Sequence, residues 1–478
     1  MTAIAMQRAM IATSGSFRAL CLLLLAAFLL GGSSRADITS LVVLRPLAAL
    51  CLGYGLSRLQ LVHIRDNRFV VVMALAVLAL PALQLVPLPP AWWGALPGRE
   101  LVTSIDRAVG LGQVWRPLSL APDATLNALE ALLVPFAVLV LGVQLDARER
   151  QLLVGVVLVI GGISAVLGLA QVLDGANLSL YFYKVTNDGK AVGLFANRNH
   201  QALMLATLLP MLAVRGASSE SGRQNEIGRQ RAITGKLFSL LAGLALLPLI
   251  MITGSRAGLL LAATAMVLIA LFFRRSAAGN SVGGSRLLSD MLQRSRAALP
   301  IAVILVCLGV VALTVWFGRA AAWQRLFSSA PGDDMRFLIV PTLWTMISGY
   351  FPFGTGMGSF ERVYQVHEPD SLLEPTYMNH AHNDWLELIL IGGLPALVLL
   401  IVAIAAFCLR ARQLWVRRRQ QSSVLRLAWL GMVVMTLAAL ASLGDYPLRV
   451  PSLACFFVVA MLWACCPFPK NQPDDLTS

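Results

Sequence analysis

Charge is what this sequence has least of. Of its 478 residues only 13% are Asp, Glu, Lys or Arg, roughly half the share found in a soluble domain, while 58% are hydrophobic. A chain of that composition cannot turn its whole surface to water, which excludes a soluble enzyme built on one apolar core. Cysteine is also scarce. The seven (Cys21, Cys51, Cys307, Cys408, Cys455, Cys465 and Cys466) all lie within or at the ends of apolar runs, so no disulfide framework is implied. Histidine is limited to five, and the one His-x-His pair has no evident third or fourth Cys or His ligand for a metal. No two-fold internal repeat is visible, and few charges fall deep within apolar runs, Arg45 being the main exception. Both absences count against a transporter or flippase made of paired halves, which is the rival reading.

What the sequence has is length of a particular kind. Apolar runs of about 17–23 residues recur along it, the length needed to cross a hydrocarbon layer of ~30 Å. Twelve are expected, near 17–32, 41–58, 69–89, 126–144, 151–172, 195–214, 237–253, 257–273, 299–317, 387–409, 427–442 and 449–465. The first follows a basic start, but the poor cleavage site Gly-Gly-Ser-Ser-Arg after it suits an uncleaved span better than a signal peptide. The net charge of +14 gathers in segments between alternate runs: Arg58, Arg65 and Arg68, then Arg148 and Arg150, Arg215 to Lys236, Arg274 to Arg296, and Arg410 to Arg426. That is the positive-inside pattern, and it accounts for the charge without nucleic acid. The expected fold is therefore all-α: a polytopic transmembrane bundle with both ends of the chain on the cytoplasmic side.

Three outer loops remain. One, near 90–125, carries Trp92, Trp93 and Trp115 as interfacial anchors. A second runs near 173–194. The third, near 318–387, is the longest, mixes Arg, Asp, Glu, His, Tyr, Trp and Gly, and is where chemistry is expected. The inner segments 216–235 and 276–290 are Ser/Gly/Arg-rich and read as linkers.

Four motifs lie on the outer face. His380 and His382, in Asn-His-Ala-His-Asn-Asp before the tenth run, suit proton transfer, with Asn383 and Asp384 placed to orient a ring; helix capping and a metal pair are the alternatives. Arg256, in Thr-Gly-Ser-Arg-Ala-Gly, stands at a helix start where Ser255 fits the N-cap, which suits a phosphate, against a plain snorkelling anchor. Arg336 opens an amphipathic stretch from Phe337 to Ile347 and either joins Arg256 on an anion or pairs with Asp333 or Asp334. Downstream, Gly354 and Gly356 offer backbone amides to a ligand, without the strand–turn–helix setting of a nucleotide loop. Finally, Asn197, Arg198 and Asn199 in Gly-Leu-Phe-Ala-Asn-Arg-Asn-His face either a substrate cavity or serve as cap and anchor.

Together these motifs, in this order and on this side, resemble the O-antigen ligase and polymerase superfamily of bacterial membrane glycosyltransferases. The resemblance covers roughly residues 150–465. It implies transfer of a glycan from a polyprenyl diphosphate to an acceptor hydroxyl at the periplasmic face of the inner membrane, with no metal, nucleotide sugar or other cofactor. The acceptor is another glycan, a lipid core or a protein. It further implies His382 as the motif histidine and general base, followed by Asn383 and later Gly393, with Arg256 and Arg336 on the diphosphate. Ala396 departs from the ligase branch, which often has a second glycine there, and tilts the reading toward polymerisation. The chain then divides into transmembrane helices at 1–149, a first part of the core at 150–317, a large periplasmic loop with the catalytic motifs at 318–386, and the last helices with a short tail at 387–478.

Overall fold

A computed structural model describes residues 13–174, 180–218, 226–273, 335–373, 377–418, 420 and 422–467. Helices dominate. Those of eight residues or more are, in chain order, α1 (Gly15–Leu30), α2 (Leu41–Arg58), α3 (Arg68–Gln84), α4 (Glu100–Ala108), α5 (Pro122–Ala131), α6 (Leu133–Gly142) and α7 (Ala147–Leu173). There follow α8 (Arg198–Ser218), α9 (Glu226–Ile252), α10 (Arg256–Phe273), α11 (Val340–Tyr350), α12 (Phe360–His367), α13 (Asp384–Val416), α14 (Ser423–Ala441) and α15 (Pro451–Ala464). The only sheet among the described residues is a two-residue antiparallel pairing of Pro87–Leu88 with Arg116–Pro117.

Eleven of the twelve expected runs fall on helices; the ninth, at 299–317, lies outside the described residues, as do Cys307, the segment 276–290 and Asp333 and Asp334. Among the described residues, six helical segments are long and apolar enough to cross a membrane: Leu41–Arg58, Pro122–Gly142, Ala147–Leu173, Thr234–Ile252, Asp384–Val416 and Ser423–Ala441. Their outward faces keep large apolar side chains exposed, among them Val42, Leu50, Val166, Leu240 and Ile401. Water would penalise such a surface and lipid would not.

The core forms where α1, α6, α7, α8, α14 and α15 meet, around Leu20, Leu23, Val138, Leu203, Leu437 and Phe456. Helix α8 is enclosed nearly all round, from His200 to Leu212. It is also the least apolar of the long helices, because its first turn carries the polar residues that the site uses.

Three expectations need correction. The linker expected at 216–235 is helical from Glu226 onward, since Glu-Ile-Gly-Arg-Gln-Arg-Ala supplies good helix formers around a single glycine. Trp93 is not an interfacial anchor: it is 3% exposed and its indole N–H donates to Pro117 O at 2.8 Å, whereas Trp92 and Trp115 stay exposed. The amides of the Gly354–Gly356 turn are not free for a ligand. Gly354 N donates to Tyr350 O, Thr355 N to Leu390 O and Gly356 N to Ile391 O, at 2.9–3.0 Å. Those last two carbonyls are released where α13 breaks at Gly393 (φ 60°, ψ −151°), and a Cβ on Gly354 would lie 2.7 Å from Gly393 N. The turn plugs a helix break. Its glycines are there because two backbones touch.

Candidate active site

The helices have two polar ends. At one end lie the starts of α8, α10 and α13, the turn between α14 and α15, and the Gly31 end of α1, to which Ser452 N donates at 3.0 Å. This end gathers most of the motif residues.

Its centre is Asp445, in the short turn between α14 and α15 and 4% exposed. Asn199 Nδ2 donates to Asp445 Oδ2 at 2.7 Å and Asn197 Nδ2 at 3.4 Å. His200 Nε2 lies 3.7 Å and His382 Nδ1 3.8 Å from Asp445 Oδ1. Burial alone would raise the Asp445 pKa, but His200 and the Arg336 charge outweigh it and hold the carboxyl well below the usual range. The next residue, Tyr446, carries three imidazoles around its ring: His380 at 4.6 Å, His382 at 4.9 Å and His200 at 5.6 Å between centroids. Burial, then the Asp445 charge, push the phenol up to about 12, so it stays protonated.

His382 sits at φ 51°, a left-handed conformation costing roughly 1–2 kcal/mol for a residue with a Cβ. It persists because both flanks are fixed. On one side Asn383 caps α13, its Oδ1 accepting from Trp385 N and Leu386 N at 3.1 Å, while Asp384 N donates to Ser442 O at 3.0 Å. On the other, Ala381 N donates to Glu387 Oε2 at 2.8 Å. Burial, then the Arg336 and His380 charges, lower the His382 pKa to about 4 against the opposing pull of Asp445. The imidazole is therefore neutral at pH 7 and able to take a proton. Its Nδ1 is buried with no hydrogen bond, and 3.8 Å is too long for one to Asp445.

The orienting roles expected of Asn383 and Asp384 are not what the geometry shows. Asn383 is occupied as the cap, and Asp384 pairs with Arg449, whose Nε donates to Oδ1 at 3.1 Å. Arg449 also reaches the fully buried Glu387 at 3.4 Å, and Glu387 Oε1 lies 3.0 Å from His380 Nδ1. His380 thus has a carboxylate partner of its own, in the geometry that fixes an imidazole tautomer.

Of the arginines, Arg336 is half-buried and its charge bears on His382, Asp445 and Tyr446 alike. Arg256 is exposed at the first turn of α10. It joins the cluster through its neighbour: Ser255 Oγ donates to Asn199 Oδ1 at 2.8 Å and accepts from Gly258 N at 3.0 Å as the cap of α10. Arg198 lies alongside, its Nη1 3.7 Å from where a Cβ on Gly254 would be. Asn197 and Asn199, expected to touch substrate, spend their side chains on Asp445, Ser255 and the start of α8, where Asn197 Oδ1 accepts from Asn199 N at 2.9 Å. They are holders of the site. Among the described residues, no group of three or more His, Cys, Asp or Glu is arranged around a common metal position.

Sequence reasoning passed over Asp445, Tyr446, Glu387 and Arg449. The available signal was an acid and a base inside the six-residue Gly-Asp-Tyr-Pro-Leu-Arg connection between the last two apolar runs.

An all-helical chain with several membrane-crossing helices and a buried His/Asp/Arg cluster at one end is a multi-pass membrane protein with an enzyme-like site. The family model described as O-antigen ligase matches residues 241–401, a third of the chain that includes Arg256, Arg336, His380 and His382. Over that segment the likeness to the O-antigen ligase and polymerase superfamily holds. No curated protein matches the sequence.

Proposed function

We propose that the protein transfers a glycan from a polyprenyl-diphosphate carrier to an acceptor hydroxyl, at the periplasmic face of a bacterial inner membrane, through a bundle of about twelve spans. The observation that carries this reading is the cluster itself: His382 and the Arg336 charge share Asp445 and Tyr446, and Ser255–Asn199 ties the Arg256 turn to the same carboxylate.

The chemistry follows from charge. As the C1–O bond of the donor sugar breaks, negative charge grows on the leaving diphosphate. Arg256 and Arg336, with the capped start of α10, supply the opposite charge there. The acceptor hydroxyl gains nucleophilicity as neutral His382 removes its proton, a contribution typically of 10²–10⁴-fold. The attacking oxygen forms the new bond to C1 as the phosphate oxygen leaves with its electron pair, so a single displacement inverts the anomeric centre. Sidedness rests on charge: Arg58, Arg65, Arg68, Arg148, Arg150 and Arg410 belong to the opposite end of the helices, the cytoplasmic one by the positive-inside rule.

The test is product analysis with a defined lipid-linked donor, run once with a lipid core and once with a second repeat unit as acceptor. Chain extension identifies a polymerase and core modification a ligase. Movement of intact donor across liposomes without cleavage would replace both with a flippase. Arg256→Ala and Arg336→Ala should each turn donor over far more slowly, and wild-type rates in either would reject the diphosphate clamp.

A further inference from the structure

In the connection from α3 to α5, at the end of the bundle where Gln84 Nε2 donates to Ile391 O at 2.9 Å, helix α4 presents three sides of different chemistry. Leu101, Ile105 and Val109 recur at every fourth position, the spacing of one helix face, and each is more than half exposed. One residue on from Ile105, and so about 100° round the helix, Asp106 is buried and accepts from Arg116 Nε at 2.7 Å. Thr103 packs toward Gly94, its Cγ2 3.4 Å from where a Cβ there would be. Glu100, Ser104 and Arg107 are exposed on the remaining side. The side that packs on the protein is therefore not the apolar one. The apolar stripe points outward, apart from the packed side and from the charged side.

The orientation of this stripe is fixed. Arg99, just before the first turn of α4, is completely buried, and its Nη2 donates to Leu118 O at 2.9 Å and to Gly354 O at 3.1 Å, in the turn that plugs the α13 break. Arg116 holds the helix through Asp106, and its own backbone pairs with Leu88 just beyond α3. Nor does the stripe stand alone. Leu83 and Val86 precede it at the end of α3, Leu111 and Val114 follow it, and Trp92 and Trp115 bracket it in the chain, all of them exposed. Apolar surface of that extent is unfavourable in water, and indole rings suit the headgroup level of a bilayer.

We propose that α4 lies in the plane of the membrane surface at the site end of the bundle. Its Leu101–Ile105–Val109 stripe sits at the boundary of headgroups and acyl chains, and its Glu100–Ser104–Arg107 side faces water. The occupant is lipid rather than a second copy of the chain. The stripe continues the exposed apolar residues that end α3, and the chain that follows it, Pro122–Gly142, is itself a candidate membrane span. A helix held at both ends between such elements has the bilayer surface beside it. Because Arg99 joins α4 to the turn against α13, the helix moves with the bundle as one body and meets that leaflet at a single depth. Lipid contact of this kind does not depend on the transfer reaction.

The experiment places nitroxide labels on the full chain reconstituted in vesicles of phosphatidylethanolamine and phosphatidylglycerol. The labels sit on Ile105→Cys in the stripe and on Ser104→Cys beside it, and the signal of the unsubstituted chain, labelled alike, is subtracted. Oxygen concentrates in hydrocarbon and a nickel chelate in water. Oxygen should therefore relax the label on I105C several-fold more than the chelate does, and the order should reverse on S104C, one residue away. Val109→Cys should repeat the first result and Arg107→Cys the second, so a variant that fails to fold leaves its counterpart to read. Chelate access that is equal on the two sides would put the stripe in water and overturn the proposal. A stripe label reached by neither oxygen nor chelate would also overturn it, because protein then covers that face; dipolar broadening between labels would identify the cover as a second copy.

Discussion

The two polar ends of the bundle bury charge in different ways. At the end opposite the site, Arg150 is 5% exposed and spends its guanidinium on Leu145 O and Leu462 O at 3.2 Å and Asn67 Oδ1 at 3.4 Å. Arg410 Nε likewise donates to Ala464 O at 2.7 Å. Both cap carbonyls that the last turn of α15 leaves free, where a cation is favoured by the helix dipole. At the site end, Asp445 and His200 are as deeply buried and His382 is partly buried, yet both ring nitrogens of His200 and Nδ1 of His382 make no hydrogen bond. Buried charge therefore does not by itself mark a site. What distinguishes the site is bonding capacity held in reserve on imidazole nitrogens around one carboxylate, which the satisfied Arg150 network lacks.

The largest effect that can break this comparison is at His382. His382→Ala should reduce transfer by about 10²–10⁴-fold, the range for loss of a general base, while the protein still inserts and elutes as wild type. Retained turnover would strip the site end of its special status. Asp445→Asn comes next. Its carboxylate takes both asparagines and faces two imidazoles, so its loss should cost roughly ten- to a hundredfold in kcat, as for other groups that orient a reacting residue, with donor KM little changed. A rise in KM alone would make Asp445 part of substrate binding instead.

How far the sequence reveals these ends depends on the range of the interactions. Helix positions were legible because apolar runs and caps are local: Ser255 and Asn383 cap the helices they precede. The partners were not. Asp445 meets Asn199 across 246 positions and Arg449 meets Asp384 across 65, and no spacing rule reaches that far. Local reasoning paired His382 with Asn383 and Asp384, the polar neighbours in sequence, but capping and Arg449 occupy them. The glycine turn misled for the same reason. Its amides looked available until Gly393, 39 positions beyond Gly354, brought free carbonyls to them.

A subtler probe is the acid limb of activity. A base has to be neutral, and His382 gains its proton only near pH 4, so the rate should hold as pH falls through 6.5 and drop only near 4. Arg336 is a cation that opposes the imidazolium; Arg336→Gln should move the surviving activity's limb to higher pH. Asp445→Asn removes an anion that favours it and should move the limb lower. A wild-type limb near the ordinary 6.5, or shifts of the opposite sign, would assign the titrating group elsewhere, His380 with its Glu387 partner being the next to examine.

The smallest expected effect on catalysis is the one that tests the far end. Replacing Arg150 by Met keeps the unbranched apolar stem of the side chain and removes its donors, leaving Leu462 O and Asn67 Oδ1 without them. Unsatisfied buried groups cost about 1–3 kcal/mol each, so the variant should show a lower Tm and a lower folded yield. Per folded molecule, kcat and both KM values should match wild type, because nothing at that end touches a reacting atom. A drop in kcat at unchanged Tm would mean that the two ends are coupled along α15, whose carbonyls Arg150 caps and whose first turn follows Arg449 directly. The contrast between the satisfied Arg150 network and the open imidazole cluster would then describe a single network with its reserve at one pole.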